Sequence, residues 1–439
     1  MGRKAIIGKM RPRALRESDL NSARELARQG RDDEAERVYS KLLAATPDQV
    51  EALNFLALYA MRRGQSARAL ELLERAASGH PTNLATLLNL GSIRQAAGDP
   101  EGAREVFQRA VRQDPNQPTA RLQLGQALEN LDRGHEAVLA YFGAIADAQR
   151  QGQWLNASTT APALLDLVRH AMGFAQAGRR RVFEAVLEPV AERHGAAALG
   201  RVRDALAVFL GDRPGAPVDP RQQPSVLFFP GLPASQYFER ALFPWMEEFE
   251  RRTNTIRDEL TAVLPHTDGR ERVFASDAEE QAGLRGSQGA PAWDGFYFYR
   301  HGSRRDKNHQ RCPETSAALD ALPLVHIREH APEVMFSVLT PGTHILPHRG
   351  VTNTRVVCHL PLIVPEECAL VVGGEAHHWR EGEGVVFDDT FEHEAWNRGT
   401  RTRVVLIADV WNPHLTPAER DAITALVEAI GDFNRAAAL

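Results

Sequence analysis

Apolar positions in the first third of the chain recur with a helical spacing that is itself repeated. Gly30, Gly64 and Gly98 fall 34 residues apart, as do Ala35, Ala69, Ala103 and Ala137, and Pro47, Pro81 and Pro115. Bulky residues keep the same step at Tyr39, Leu73, Phe107 and Tyr141. The pattern predicts units of two amphipathic helices over 18–150, with a glycine at each tight turn and a proline opening the next unit. In the fourth unit Asp132 stands at the turn position; aspartate tolerates the left-handed conformation better than most residues, so the repeat is expected to continue. Residues 151–212 keep helical stripes without the period and read as a capping layer. The segment GDRPGAPVDPRQQP holds four prolines and two glycines and cannot propagate a helix, so a linker and domain boundary are expected at 213–224.

After residue 225 the texture changes. Short alternating or β-branched runs, VLFFP, FYFYR, VMFSVLT, TRVVCHLPLIV, ALVVGG, GVVFDD and RVVLIADVW, are punctuated by Gly, Pro and Asn or Asp, which predicts a double-sheet β domain over 225–439. Helices are expected beside it at 243–264 and 417–434, where apolar residues fall at helical spacing. Alternation over Arg355–Ile363 puts Arg355, Val357 and His359 on one face and Val356, Cys358 and Leu360 on the other. By the same rule Arg403 shares a face with Val405 and Ile407. A guanidinium among apolar side chains is costly unless a carboxylate meets it, supplied by a ligand or by the protein.

With 439 residues, 43% hydrophobic and 25% charged, the chain is too long for one core, and two or three domains are expected. A formal charge of −5 gives no electrostatic reason to bind nucleic acid, and the run Arg179–Arg181 reads as a solvated helix face. Cys312, Cys358 and Cys368 form no CxxC pair. They read as small core residues in a reducing compartment, with the cytoplasm expected. The N-terminal apolar run is too short for an export signal, and no stretch of about 18 apolar residues predicts a membrane span.

The 34-residue pattern resembles the tetratricopeptide repeat over about 18–150, which implies a concave surface for a polypeptide substrate or protein partner. Near the other end, His348 in PHRGVTNTR and His393 in FDDTFEHEAWN are followed by Arg403. Two imidazoles and an arginine among short strands suit a jelly-roll site for Fe(II) and 2-oxoglutarate. The motifs PGLPA, FSVLTPGTHILPHRGVTN, CHLPLIVP, WxEGxGVVFDDTFEHExW and DVWNPHLTP, in that order, closely resemble the aspartyl/asparaginyl β-hydroxylase family of 2-oxoglutarate oxygenases. The fold expected is therefore an all-α tetratricopeptide solenoid followed by a double-stranded β-helix (jelly-roll) oxygenase domain with flanking helices.

The resemblance implies iron ligation by His348 and His393. It further implies a hydrogen bond from His359 to the C1 carboxylate of 2-oxoglutarate, and Arg403 with Ser337 at the C5 carboxylate. Trp293 is expected beside that pocket, and Arg355 at an acidic or polar group of the substrate. Gly350 stands where the common His-x-Asp pattern has its third ligand; the family shares this departure, leaving that position to water or an outside group. Val357 stands where better-characterised animal members carry a second arginine. Asp388 and Asp389 read as turn residues or as acceptors behind the ligands, and His344, His377 and His378 are not expected on the metal. The reaction implied consumes O2 and 2-oxoglutarate and hydroxylates the β-carbon of Asp or Asn in a polypeptide recruited by the repeats. The alternatives are hydroxylation of a free amino acid or a lipid acyl chain, or a non-catalytic scaffold with a relic β domain.

Overall fold

Eight helices alternate through the N-terminal third of the computed structural model, which describes residues 12–286 and 292–438. The N-terminal apolar run read above for export lies outside the described residues. The helices are α1 Pro12–Arg28, α2 Asp32–Ala45, α3 Val50–Arg62, α4 Ser66–Gly79, α5 Leu84–Ala96, α6 Pro100–Gln113, α7 Pro118–Asn130 and α8 Gly134–Arg150. Their starts repeat because their caps repeat: the side chains of Gln49, Asn83 and Gln117, again 34 residues apart, accept backbone N–H bonds opening α3, α5 and α7. Gly30, Gly64, Gly98 and Asp132 all take positive φ between the helices of a pair, so the fourth unit turns as the first three do.

Packing explains the small and large positions. Ala35, Ala69, Ala103 and Ala137 are fully buried. A Cβ on Gly91 would lie 2.4 Å from Phe107, and one on Gly125 2.5 Å from Tyr141. The equivalent pair in the second unit is Ala57 and the smaller Leu73. In the third and fourth units glycine thus makes room for the facing aromatic ring.

Two compact units divide the chain: residues up to Arg181 with Phe433 onward, and Val182–Asp432. The division falls inside the 30-residue helix α9, Leu165–His194, not at the Pro/Gly-rich segment. That segment is tied down at its end, where the Gln222 amide donates to Asp388 Oδ2 at 2.6 Å and Gln223 N donates to the Thr390 carbonyl at 3.0 Å. Val168, Ala171 and Ala175 of α9 join Leu128, Tyr141 and Ala148 in one buried cluster and so cover the last repeat. Arg179 corrects the solvated-face reading: it lies 4.6 Å over the Phe142 ring, whereas Arg180 and Arg181 are exposed.

The second unit carries twelve strands among the described residues: β1 Arg270–Arg272, β2 Leu284–Gly286, β3 Trp293–Arg300, β4 Ser303–Arg304, β5 Val334–Leu339, β6 Thr343–His348, β7 Arg355–Ile363, β8 Cys368–Val372, β9 Glu375–His377, β10 Val385–Phe387, β11 His393–Asn397 and β12 Arg403–Trp411. They form two antiparallel sheets, ordered β1-β3-β5-β12-β7-β10 with β4 on β3, and β2-β6-β11-β8-β9. On the outer face of the larger sheet Val356, Cys358, Leu360, Val404, Leu406 and Ala408 share a core with the helices Met246–Arg251, Thr253–Val263 and Pro313–Asp320. On the inner face Val357 and Val405 meet Leu370, Val372 and Ala395 of the smaller sheet. The faces are those the alternation predicts.

Three expectations change. The helix expected at 243–264 is two, broken at Arg252, and the C-terminal helix runs Pro417–Ala438. VLFFP forms no strand, only a bridge between Leu227 and Thr352. β6 and β11, which end or begin on the two histidines, were not among the predicted runs; His344, Pro347, Glu394 and Asn397 dilute their alternation.

Candidate active site

β6 and β11 pair antiparallel with His393 directly opposite His348, and the two imidazole centroids lie 4.1 Å apart. Each ring is oriented by its own backbone: His348 Nδ1 is 2.9 Å from the Leu346 carbonyl, and His393 Nδ1 is 3.1 Å from that of Phe391. A carbonyl can only accept, so Nδ1 carries the proton and Nε2 keeps a free lone pair, the state a metal requires. Burial, and after it the neighbouring His348, pushes His393 down to about 4, so this ring is neutral at physiological pH. His348 is exposed, which opens the site to solvent on that side. Among the described residues no group of three His, Cys, Asp or Glu side chains is arranged around a metal position; the donor set is the two imidazoles.

Gly350 has a steric cause. A Cβ there would fall 2.2 Å from the Asp389 carboxylate, and Gly350 N donates to the Asp389 carbonyl at 2.7 Å. Asp389 therefore fills the space that a side chain at 350 would occupy. Its Oδ1 is buried and has no hydrogen-bond partner.

The two sheets enclose a cavity of about 160 Å³ that the histidine pair borders. At one end lies Arg403, 1% exposed. It finds no carboxylate among the described residues: Nη1 donates to Ser337 Oγ at 3.2 Å, Nε has no partner, and Trp379 lies 5.0 Å beneath the guanidinium. Burial lowers this group to about 10. Trp293 Nε1 also donates to Ser337 Oγ, at 2.8 Å. Both lone pairs of that hydroxyl are thus engaged, and its proton is left to donate. His359 is buried with an unpartnered Nδ1, 5.8 Å from the Trp379 ring; burial and then Arg403 hold it well below the usual imidazole range.

The opposite end holds Arg355, with Nη2 2.9 Å from Asp389 Oδ2 and Nη1 2.9 Å from Asp409 Oδ1. Burial alone would lower this guanidinium, but the two aspartates outweigh it and hold it raised. The group expected to await a substrate is already paired twice by protein. Glu333 joins this end: its N–H donates to Asp409 Oδ2 at 3.0 Å, and burial with the nearby Asp409 pushes its carboxyl up to about 7.

Strand register sets this polarity. Arg403, Val405, Ile407 and Asp409 point inward from β12; Ser337 lies opposite Val405, Met335 and His359 opposite Ile407, and Val357 opposite Asp409. Arg403 and Asp409 are six residues, or about 20 Å of strand, apart. His348, His393, Ser337, His359, Arg403, Arg355 and Trp293 all line the one cavity. Of the other candidates, His344 is held by Glu394 at 2.6 Å, His377 packs on Tyr237, and Asp388 closes a turn onto Thr390. The three cysteines are buried. Sequence reasoning missed Trp379, Glu333 and Asp409. Trp379 and Asp409 stand in quoted motifs, but only the fold shows that they touch the cavity's arginines.

A family described as aspartyl/asparaginyl beta-hydroxylase matches residues 250–413, and tetratricopeptide repeat families match 20–83 and 84–127. "Aspartate beta-hydroxylase domain-containing protein 2" of Xenopus tropicalis is 33% identical over 247 residues, 55% of this chain and 64% of its own length. The protein of that name from Rattus norvegicus is 33% identical over 244 residues, 54% of this chain and 68% of its own. The "Ornithine lipid ester-linked acyl 2-hydroxylase" of Rhizobium tropici is 35% identical over 184 residues, 41% of this chain and 62% of its own. The chain thus spans less than two thirds of the frog and rhizobial proteins.

Proposed function

This chain belongs to the aspartyl/asparaginyl β-hydroxylase family, and from that premise we propose that its β domain is an Fe(II)- and 2-oxoglutarate-dependent dioxygenase that hydroxylates a polypeptide side chain. Arg403 carries the reading. An isolated buried guanidinium costs several kcal/mol (about that order for any unpaired buried ion), and this one faces a cavity shared with two imidazoles whose Nδ1 atoms face backbone carbonyls. A carboxylate from a small ligand is the missing partner, and the C5 carboxylate of 2-oxoglutarate supplies it.

His348 and His393 would hold the iron through their Nε2 atoms. Bound iron and 2-oxoglutarate supply the redox chemistry, coupling oxidative decarboxylation to insertion of one oxygen atom of O2 into a C–H bond. The protein's residues bind and orient. Ser337, pinned by Trp293, donates its hydroxyl proton to the carboxylate that Arg403 meets. His359 offers the other carboxylate a hydrogen bond from a dry site, while the apolar Val357 adds no second cation there. Asp389 Oδ1 stands beside Gly350 as an acceptor for a donor on the open side of the histidine pair. Ile407, Met335 and Phe387 exclude water between the two ends.

The family description points to Asp and Asn side chains, and the rhizobial relative's name to an acyl chain. The repeat array supports a polypeptide, because stacked helix pairs present an extended concave surface. A relic domain would have no need to keep a buried charge without an anion. Three buried free cysteines support a reducing compartment, the cytoplasm in the simplest case.

The test is an anaerobic calorimetric titration of 2-oxoglutarate into protein loaded with Mn(II) in place of Fe(II). Saturable, metal-dependent binding is expected, and is expected to be lost in His393→Ala and Arg403→Ala. No binding by the intact protein would overturn the proposal.

A further inference from the structure

The cavity is charged in opposite senses at its two ends, and only one end is accounted for by a ligand carboxylate. At the other, Asp389, Asp409 and Glu333 bring three carboxyl groups against the single guanidinium of Arg355. A further lining carboxylate, Glu394, is already held by His344. Among the described residues no lysine lines the cavity. Among the described residues the Glu333 side chain meets only His301, which is exposed and gives both its backbone N–H and its ring to Oε1, leaving Oε2 for a ligand. Asp389, 6% exposed, keeps one carboxylate oxygen without a donor. Among the described residues that line this end Arg355 is the one arginine, and both of its terminal nitrogens are already given to aspartates.

We infer that the end of the cavity formed by Glu333, Asp389 and Asp409 receives a positively charged substrate group, an ammonium or guanidinium, so that the polypeptide presents a basic residue there. The inference rests on the oxygenase reading above and names the substrate class it acts on. A substrate aspartate would enter against uncompensated negative charge and would have to compete with Asp389 and Asp409 for Arg355. A lysine or arginine side chain instead brings N–H donors to Asp389 Oδ1 and Glu333, and its apolar stem matches Ile407, Met335 and Val357 in the middle of the cavity. Register enforces this arrangement. Glu333 and Asp409 are joined through the Glu333 N–H, and Val357 lies across from Asp409. The acidic end is therefore built into the sheet and does not depend on a mobile loop.

Two short peptides of glycine and alanine, identical except for a central lysine or aspartate, are titrated by calorimetry into Mn(II)-loaded protein saturated with 2-oxoglutarate. The lysine peptide is expected to bind at least tenfold more tightly, and Glu333→Gln and Asp409→Asn are each expected to reduce that preference several-fold. Equal affinities, tighter binding of the aspartate peptide, or a lysine preference unchanged in both variants overturns the inference. Binding of 2-oxoglutarate reports that each variant is folded; Glu333→Gln, which leaves the Arg355 pairs in place, stands if Asp409→Asn does not fold. Should wild-type protein take no 2-oxoglutarate, the oxygenase reading fails, and the same titration without cosubstrate still decides the charge preference by the same criteria.

Discussion

Arg403 and Arg355 face one cavity from opposite ends, both drawn out of water by the same sheet, yet one has two carboxylates and the other has none. Arg355 is a finished interaction: its charge is neutralised by Asp389 and Asp409 and serves to hold β7, β12 and the turn before β11 together. Arg403 is an unfinished one. It is fastened by neutral groups, the Ser337 hydroxyl and the Trp379 ring, which fix its position without neutralising it. A buried cation held in place but left without an anion is the observation on which the oxygenase proposal rests.

The comparison breaks most readily at the paired end. Arg355→Ala leaves two aspartates buried against each other, and a loss of about 3–5 kcal/mol in urea unfolding is expected; wild-type stability in that variant would show the pairs to be solvent-compensated. Arg403→Met should do the reverse. It removes an uncompensated charge while keeping volume, so the metal-free protein should be as stable as wild type or more so, while 2-oxoglutarate affinity falls by about 2–4 kcal/mol. A parallel loss of stability and affinity would make Arg403 a structural residue.

A smaller effect sharpens the unpaired end. Ser337→Ala removes the hydroxyl that accepts from Trp293 and Arg403 and should weaken 2-oxoglutarate binding by about 1–2 kcal/mol, roughly tenfold, in calorimetry. The smallest effect is a pH dependence at the acidic end. The Glu333 carboxyl is raised from 4.5 to about 7, so the folded state binds a proton that the unfolded state has released, and wild-type stability rises as pH falls from 8 toward 5. Glu333→Gln should lack this slope. After discounting for the partial exposure of the side chain, it should exceed wild type by about 1–2 kcal/mol at pH 8 and match it at pH 5 in thermal unfolding. An identical slope in the two proteins would place the titration elsewhere.

The repeats were legible because each unit repeats its own constraints. An amide cap, a left-handed turn residue and a small residue facing a large one recur every 34 positions, and each is a local requirement. The β domain was legible where strands are buried on both faces, as in β5, β7 and β12. It was not legible at β6 and β11, whose histidines, proline and glutamate interrupt the apolar alternation for the sake of the site. The Pro/Gly-rich segment misled for a different reason: it breaks the helix, as read, but its end is hydrogen-bonded to the turn at Asp388 and Thr390.

By itself the sequence determined which side chains share a face. Periods of 3.6 and 2 residues are set by backbone geometry within a single element, so Arg355, Val357 and His359, and likewise Arg403, Val405 and Ile407, had to point together. Only the tertiary structure decided which faces meet. Strand register brought His348 opposite His393, put Asp389 over Gly350, gave Arg355 two aspartates and left Arg403 none. Those outcomes depend on pairings between strands far apart in sequence, and a shift of one residue in any of them would have turned the same side chains outward.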